Sequence, residues 1–158
     1  MTAALGSAVV DSSALMCIAK NEPASALYWD ELSRVKSLYI SAVTLSELLL
    51  VAMGFKKPGM VDSLTSLMTN LGITTIDYVA ADIPTYLHGA ALYHLKAVPP
   101  GPLNMGDLFS YQLATKMDLP LFFQGMDFLQ TPVKNAMLLR GYLMNAANKG
   151  VPSAPPAP

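Results

Sequence analysis

Charged side chains are scarce in this sequence. They make up 13% of its 158 residues, against about 25% in a typical soluble protein, while hydrophobic residues make up 53%. The net charge of −1 argues against a protein that holds nucleic acid through a broad basic surface. Chemistry on nucleic acid would need a metal ion to offset the phosphates, or a basic partner. The apolar surplus indicates a globular domain, part of whose surface a partner covers.

Cysteines and long apolar runs are also missing. Cys17 is the one cysteine, so an internal disulfide is impossible and a reducing cytoplasm is the predicted location. The longest apolar run, from Leu48 to Phe55, is well short of the roughly 20 residues that a membrane span needs. No basic residue precedes the apolar stretch near the N-terminus, so we expect neither a secretory signal nor a membrane anchor.

The sequence does contain an alternation of strand and helix patterns. Apolar or β-branched runs predict strands at 8–10, 38–40, 73–76 and 121–123. Helical spacing predicts helices at 12–20, 24–35, 43–53, 61–71, 79–95, 105–117 and 132–147, and a Pro/Gly loop is expected at 98–102. This alternation predicts an α/β fold, a three-layer α/β/α sandwich with a mostly parallel central sheet. We expect one domain over residues 1–148, followed by a flexible Pro-rich tail over 149–158.

Four acidic residues each stand alone in a long neutral stretch. They are Asp11, Glu47, Asp107 and Asp127. Two of them follow predicted strands and two lie in the first turns of predicted helices. Such positions can converge at the carboxyl edge of a parallel sheet. A carboxylate in an apolar segment is costly to bury unless it is paired or binds a metal. The pattern therefore predicts a cluster of hard oxygen ligands that suits Mg²⁺ or Mn²⁺.

Each of these acids also has a purely structural interpretation, which leaves an alternative open at every position. The alternatives are an Asx turn or helix cap for Asp11, a capping box with Thr44 for Glu47, a cap with Asn104 for Asp107, and a turn for Asp127. The joint pattern, and no single position, favours the metal site.

Four sequence blocks around these acids resemble the PIN-domain family, and in particular its VapC-type toxins. Residues 9–15 resemble the opening strand of PIN domains, in which a Ser/Thr pair follows the first catalytic Asp. Residues 40–48 resemble the second block, which carries the family's Glu. Residues 103–114 and 119–128 are similar to the third and fourth blocks of VapC-type toxins. The order and spacing of the blocks agree with the family over roughly residues 9–131.

The resemblance implies an Mg²⁺- or Mn²⁺-dependent endoribonuclease that hydrolyses phosphodiester bonds, often in tRNA or ribosomal RNA. It also implies a homodimer and a cognate antitoxin protein, as in VapBC pairs of type II toxin–antitoxin systems. By the resemblance, Asp11, Glu47, Asp107 and Asp127 match the family's catalytic, metal-binding quartet, and Ser12 matches a hydroxyl that supports the pocket. Two alternatives stay open: a catalytically silent PIN-like interaction scaffold, and a housekeeping PIN ribonuclease without an antitoxin.

The sequence departs from the family pattern at three places. Met126 stands where relatives often have Asn or Asp, and residues 92–102 keep few basic side chains. Residues 132–158 are longer and more helical in pattern than the family's usual ending. These departures bear on RNA affinity and substrate choice more than on the metal site.

Overall fold

The computed structural model describes residues 4–95 and 102–155. Its strands are β1 (Ser7–Val10), β2 (Ser37–Ser41), β3 (Ile73–Ile76) and β4 (Leu121–Phe122). Its α-helices are α1 (Ser12–Ala19), α2 (Ser25–Ser33), α3 (Ala42–Gly54), α4 (Met60–Leu71), α5 (Ile83–Tyr93), α6 (Asp107–Met117) and α7 (Ala136–Leu139). Short 3-10 turns cover Ala80–Asp82, Asp127–Gln130 and Ala146–Asn148. Most of the predicted loop at 98–102 lies outside the described residues.

The four strands form one parallel sheet in the order β3-β2-β1-β4. Helix α6 packs on β1, β2 and α5, while α1 packs on α2 and α4. This is the predicted α/β/α arrangement. The chain steps from β1 to β2 to β3 on one side and then returns to place β4 on the other side of β1. The carboxyl end of β1 is therefore the switch point of the sheet, where open α/β folds form their binding crevice.

Burial on both faces explains why strands β1 and β4 are continuous apolar runs. Ala8, Val9 and Val10 in β1 are fully buried, as are Leu121 and Phe122 in β4. Strands covered on both faces have no solvent side on which to place polar residues. The first polar residue after each of these runs therefore emerges at the edge of the sheet. No helix among residues 4–95 and 102–155 is long and apolar enough to cross a membrane.

The end of the chain corrects the sequence prediction. A helix was expected over 132–147, but α7 covers only Ala136–Leu139. The residues before it are not helical, and Asn135, whose backbone is extended, forms a parallel bridge with Leu121 of β4. Gly141, with φ of 89°, takes a left-handed conformation just after α7, where a helix commonly ends. The apolar spacing at 137–143 therefore marks neither a long helix nor one buried face, because Met137 is fully buried while Leu138 and Leu139 are about half exposed.

The Pro-rich segment also differs from the expected flexible tail over its described part. Pro152 is buried, and Ser153 pairs with Leu143 through two backbone hydrogen bonds of 2.9 and 3.1 Å. Composition alone predicts flexibility because proline cannot join most ladders. Here the pairing residue is the serine, and the prolines lie beside it.

Candidate metal centre

Asp11 is the most deeply buried of the four predicted carboxylates. It follows β1 directly, caps the first turn of α1 and is 3% exposed. One carboxylate oxygen accepts hydrogen bonds from the Ser13 amide at 2.9 Å and the Ser13 hydroxyl at 2.6 Å. The other accepts from the Ser110 hydroxyl at 2.6 Å. Three donors offset much of the cost of placing a carboxylate at the end of a buried strand. Asp11 is thus both a helix cap and a member of the site.

The sequence prediction missed Ser110, which donates to Asp11, and Thr44, which contacts Ser110. Their hydroxyls lie 3.3 Å apart, and each residue is 1% exposed. Ser110 lies three residues after Asp107 on α6, and Thr44 lies three residues before Glu47 on α3. Side chains three apart share one face of a helix, so this spacing was a signal available in the sequence. Thr44 does not take part in the capping box that the sequence also allowed.

The supporting role predicted for Ser12 falls to its neighbour. Ser13, not Ser12, donates both local hydrogen bonds to Asp11. An Asx-type turn brings the amide and hydroxyl two residues on back to the carboxylate, which favours Ser13 at this place. A role for Ser12 in holding bound water stays a prediction.

Glu47 lies in the second turn of α3, because that helix begins at Ala42 with Ser41 as its cap. Its carboxylate lies directly against Gly106, so closely that a Cβ atom at position 106 would overlap it. The glycine therefore lets α3 bring its acid up to the start of α6. Partial burial, followed by repulsion from Asp11, raises the pKa of Glu47 above its usual range.

Asp107 joins the cluster from the first turn of α6. Its carboxylate accepts from the Asn104 amide at 2.8 Å, and its own amide donates to the Asn104 side chain at 2.9 Å. The predicted cap is therefore present. Burial, with repulsion from Asp11, Asp127 and Glu47, still raises the pKa of Asp107 to about 7, although the hydrogen bond from Asn104 opposes that rise. Asp107 is therefore a helix-capping residue and also a member of the acidic cluster.

Asp127 completes the group from the loop after β4. It begins the 3-10 turn Asp127–Gln130, and its residue is more exposed than Asp11. Partial burial of the carboxyl and repulsion from Asp11 raise its pKa. The tertiary structure therefore brings all four predicted carboxylates within mutual electrostatic reach, with Asp11 acting on each of the other three.

The donor set fits a hard divalent cation. All four groups are carboxylates, and the raised pKa values of Glu47, Asp107 and Asp127 indicate a site in which added positive charge would relieve repulsion. Within residues 4–95 and 102–155, no three His, Cys, Asp or Glu side chains lie close enough together to hold one ion directly. The hydrogen bonds of Asp11 and Asp107 hold those carboxylates in place. Binding would therefore need water-mediated ligands or rotation of the exposed Glu47 and Asp127.

An aromatic cluster flanks the Glu47 side of the carboxylates. Tyr78 and Phe109 have ring centroids 5.0 Å apart, and Phe109 and Tyr86 have centroids 4.7 Å apart. A cavity of about 230 Å³ beside them is lined by Val43, Glu47, Met105, Gly106 and Phe109. Its wall is apolar apart from Glu47. Contacts with a ligand here would depend on shape and ring stacking, not on positive charge.

The chain matches known proteins over most of its length. Residues 8–134 match the PIN domain. A VapC ribonuclease of Mycobacterium bovis and ribonuclease VapC42 of Mycobacterium tuberculosis are each 30% identical over 129 residues, which span 81% of this chain and 98% of the relative.

Three solved structures share the fold at lower identity. VapBC2 from Rickettsia felis, bound to a DNA fragment from its promoter, superposes with a TM-score of 0.63 at 17% identity, covering 82% of this chain and 96% of that chain. A toxin–antitoxin complex from Klebsiella pneumoniae has a TM-score of 0.60 at 15% identity, covering 82% and 97%. VapC20 of Mycobacterium tuberculosis, a toxin that cleaves the sarcin–ricin loop, has a TM-score of 0.62 at 11% identity, covering 79% and 95%.

Proposed function

The chain belongs to the PIN-domain family, and we propose that it is a metal-dependent endoribonuclease, the VapC-type toxin of a VapBC pair. The observation that carries the proposal is the convergence of four otherwise isolated carboxylates at the switch point of a parallel sheet. A catalytically silent scaffold has no need to keep four acids that repel one another in a partly buried cluster.

Asp11, Asp107 and Asp127 would hold Mg²⁺ or Mn²⁺, with Glu47 as a further ligand, direct or through water. When bound, such an ion makes water more acidic and offsets the charge that develops on the phosphate. The chain's own residues supply the rest of the chemistry. The Ser13 and Ser110 hydroxyls orient Asp11. Glu47, whose pKa partial burial and repulsion from Asp11 raise above its usual range, would orient the attacking water and take up its proton.

The proposed substrate is a structured RNA of the tRNA or ribosomal RNA class. The VapC20 toxin of similar fold cleaves the sarcin–ricin loop, which supports this class. A chain of net charge −1 offers little sequence-independent attraction to phosphates. Recognition would therefore rely on RNA shape and on stacking of exposed bases, as is typical of proteins that bind loops.

The proposed protein partners are a cognate antitoxin and a second copy of the chain, in the cytoplasm. Two of the neighbouring structures hold toxin and antitoxin together, which supports the antitoxin. Several large apolar side chains are also exposed, and among residues 4–95 and 102–155 those exposed by more than half are Leu50, Met53, Leu87, Leu95 and Met105. A partner surface would cover them.

The test is cleavage of total cellular RNA by purified protein, with Mg²⁺ or Mn²⁺ and with EDTA. Discrete fragments should appear only with the metal, and they should disappear in the Asp107→Asn variant. A folded, antitoxin-free wild type that binds Mn²⁺ but cleaves no RNA would favour the scaffold. A short antitoxin reading frame upstream of the gene would favour the toxin over a housekeeping ribonuclease.

A further inference from the structure

The chain continues beyond residue 134, where its match to the PIN domain ends, and that continuation is folded. We call residues 136–153 the C-terminal segment. Ala136 and Met137 are fully buried, and Met144 is nearly so. The pairing of Leu143 with Ser153 closes the segment into a hairpin-like loop on the side of β4. The described part of the segment is therefore fixed to the domain.

A buried carboxylate anchors the segment to the rest of the fold. Glu31 on α2 is 2% exposed and forms an ion pair with Arg140. The Tyr142 hydroxyl donates to the same carboxylate at 3.0 Å. A buried acid paired with two groups from one segment holds that segment in a single position, because releasing it would leave the acid unpaired.

The segment contacts the loop that carries Asp127. The Gly125 amide donates to the Gly150 carbonyl at 3.2 Å. Gly150 has a φ of 68°, and a Cβ atom there would overlap the carbonyl group of Gly125. Two backbones this close require glycine at position 150. The amide of Gly150 donates to the Asn145 carbonyl at 2.9 Å, which fixes Gly150 within the segment.

The same loop is attached on its other side to Asp11. The Gln124 amide donates to the Ser13 hydroxyl at 3.0 Å, and that hydroxyl donates to Asp11 at 2.6 Å. Gly125 therefore lies between the residue tied to Asp11 and the stretch that leads to Asp127.

We infer that Gly150 is a positioning residue, which holds Gly125 so that Asp127 and Asp11 form one divalent-cation site. The inference rests on the proposed function and adds to it, since the C-terminal segment lies outside the family match. Groups that support metal ligands typically change metal affinity 10- to 100-fold when they are altered. A misplaced Gly125 would therefore weaken metal binding without unfolding the sheet.

The test is Mn²⁺ affinity of the full chain, measured by titration calorimetry, for wild type and Gly150→Asn. Asparagine tolerates a left-handed backbone, so this variant adds a Cβ atom with little backbone strain. The matched control is Gly72→Asn, because Gly72 has a φ of 62° and nothing within 4 Å of its added Cβ. We expect about tenfold weaker Mn²⁺ binding for Gly150→Asn and unchanged binding for the control. Thermal unfolding without metal would report any loss of stability separately.

RNA cleavage provides the second readout. If Gly150 acts through the metal site, excess Mn²⁺ should restore the cleavage rate of Gly150→Asn to within about twofold of wild type. The assay is run well below the metal-free melting temperatures of both proteins, so that Mn²⁺ cannot act by refolding the variant. Equal Mn²⁺ affinity in wild type and Gly150→Asn overturns the inference and leaves the proposed function standing. A wild type that binds no Mn²⁺ overturns both.

Discussion

At the scale of single residues, the arrangement around Asp11 shows how an apolar domain keeps a buried acid. The carboxylate is 3% exposed and has three short hydrogen bonds, two from Ser13 and one from Ser110. Hydrogen bonds to a charged group are roughly twice as strong as neutral ones. The two serines therefore stabilise the fold and also fix the direction in which Asp11 presents its oxygens.

Removing the Ser110 hydroxyl should weaken both stability and metal binding. Ser110→Ala deletes a hydrogen bond to a buried carboxylate, which typically costs about 1–3 kcal/mol of unfolding free energy. Mn²⁺ affinity should fall about tenfold or more. Urea unfolding with EDTA and calorimetric titration would measure the two effects. Ser33→Ala is the control, because the Ser33 hydroxyl donates to the Trp29 carbonyl on an exposed helix face. If Ser110→Ala has the unfolding free energy and the Mn²⁺ affinity of the wild type, Ser110 does not support Asp11.

Asp107 should make the metal-free protein less stable as the pH rises. Its pKa is about 7 in the folded protein and near 3.8 when unfolded. Between those values the folded state holds a proton that the unfolded state has lost, so stability falls from about pH 4 to pH 7 and then levels off. Asp107→Asn removes this dependence. At pH 8 the variant should be more stable than wild type by about 1–3 kcal/mol, which allows for solvent screening of the full shift.

Urea unfolding in EDTA at several pH values would test the prediction for Asp107. The two proteins should have similar stability at pH 4 and should diverge towards pH 8. Asp62→Asn serves as the control, since Asp62 is exposed in the first turn of α4 and should give no such gain. Parallel stability curves for wild type and Asp107→Asn would show that repulsion within the cluster is weaker than we infer.

At the scale of elements, the C-terminal segment depends on one buried ion pair. Two residues of the segment, Arg140 and Tyr142, donate to the buried Glu31 carboxylate. Arg140→Met would leave only the Tyr142 hydroxyl, and breaking a buried ion pair in this way lowers the unfolding free energy by about 3–5 kcal/mol. Arg34→Met is the matched control, because its partner Asp30 is about half exposed and such pairs contribute roughly 0–1 kcal/mol. Equal, small effects of both changes on chemical unfolding would show that the segment is not anchored at Glu31.

At the scale of the whole molecule, the fold brings the side chains of the site together from distant parts of the chain. Ser110 and Asp11 are 99 residues apart yet share a hydrogen bond of 2.6 Å. The order β3-β2-β1-β4 brings this about, because it sets the two halves of the chain on either side of β1. A ligand bound at that switch point would therefore link both halves.

Metal binding should accordingly stabilise the whole domain. Mn²⁺ at about 100 times its dissociation constant should add about 2.7 kcal/mol to the unfolding free energy. For a chain of this length, that corresponds to a rise in melting temperature of roughly 5–10 °C. Asp11→Asn should show little or no rise, and NaCl at equal ionic strength controls for screening. If Mn²⁺ does not change the melting temperature of the wild type, that result would argue against the metal site.

The sequence by itself determined the sheet and the identity of the four acids. Continuous apolar runs predicted the strands, because strands buried on both faces admit few polar residues. Each acid was visible because burying a lone charge in an apolar segment is costly, so its presence required a reason. The family resemblance added an expected fold and an expected chemistry. The match to the PIN domain and to solved structures agrees with the expected fold.

Only the tertiary structure decided which groups support those acids and how the chain ends. The hydrogen bond from Ser110 to Asp11 and the contact of Gly150 with Gly125 join residues far apart in the chain, and no local pattern records them. The helix expected over 132–147 was wrong because apolar residues at helical spacing need not share one buried face: Met137 is fully buried, but Leu138 and Leu139 are about half exposed. Local patterns show which residues are apolar, but whether each one is buried, and against which partner, depends on how distant segments meet.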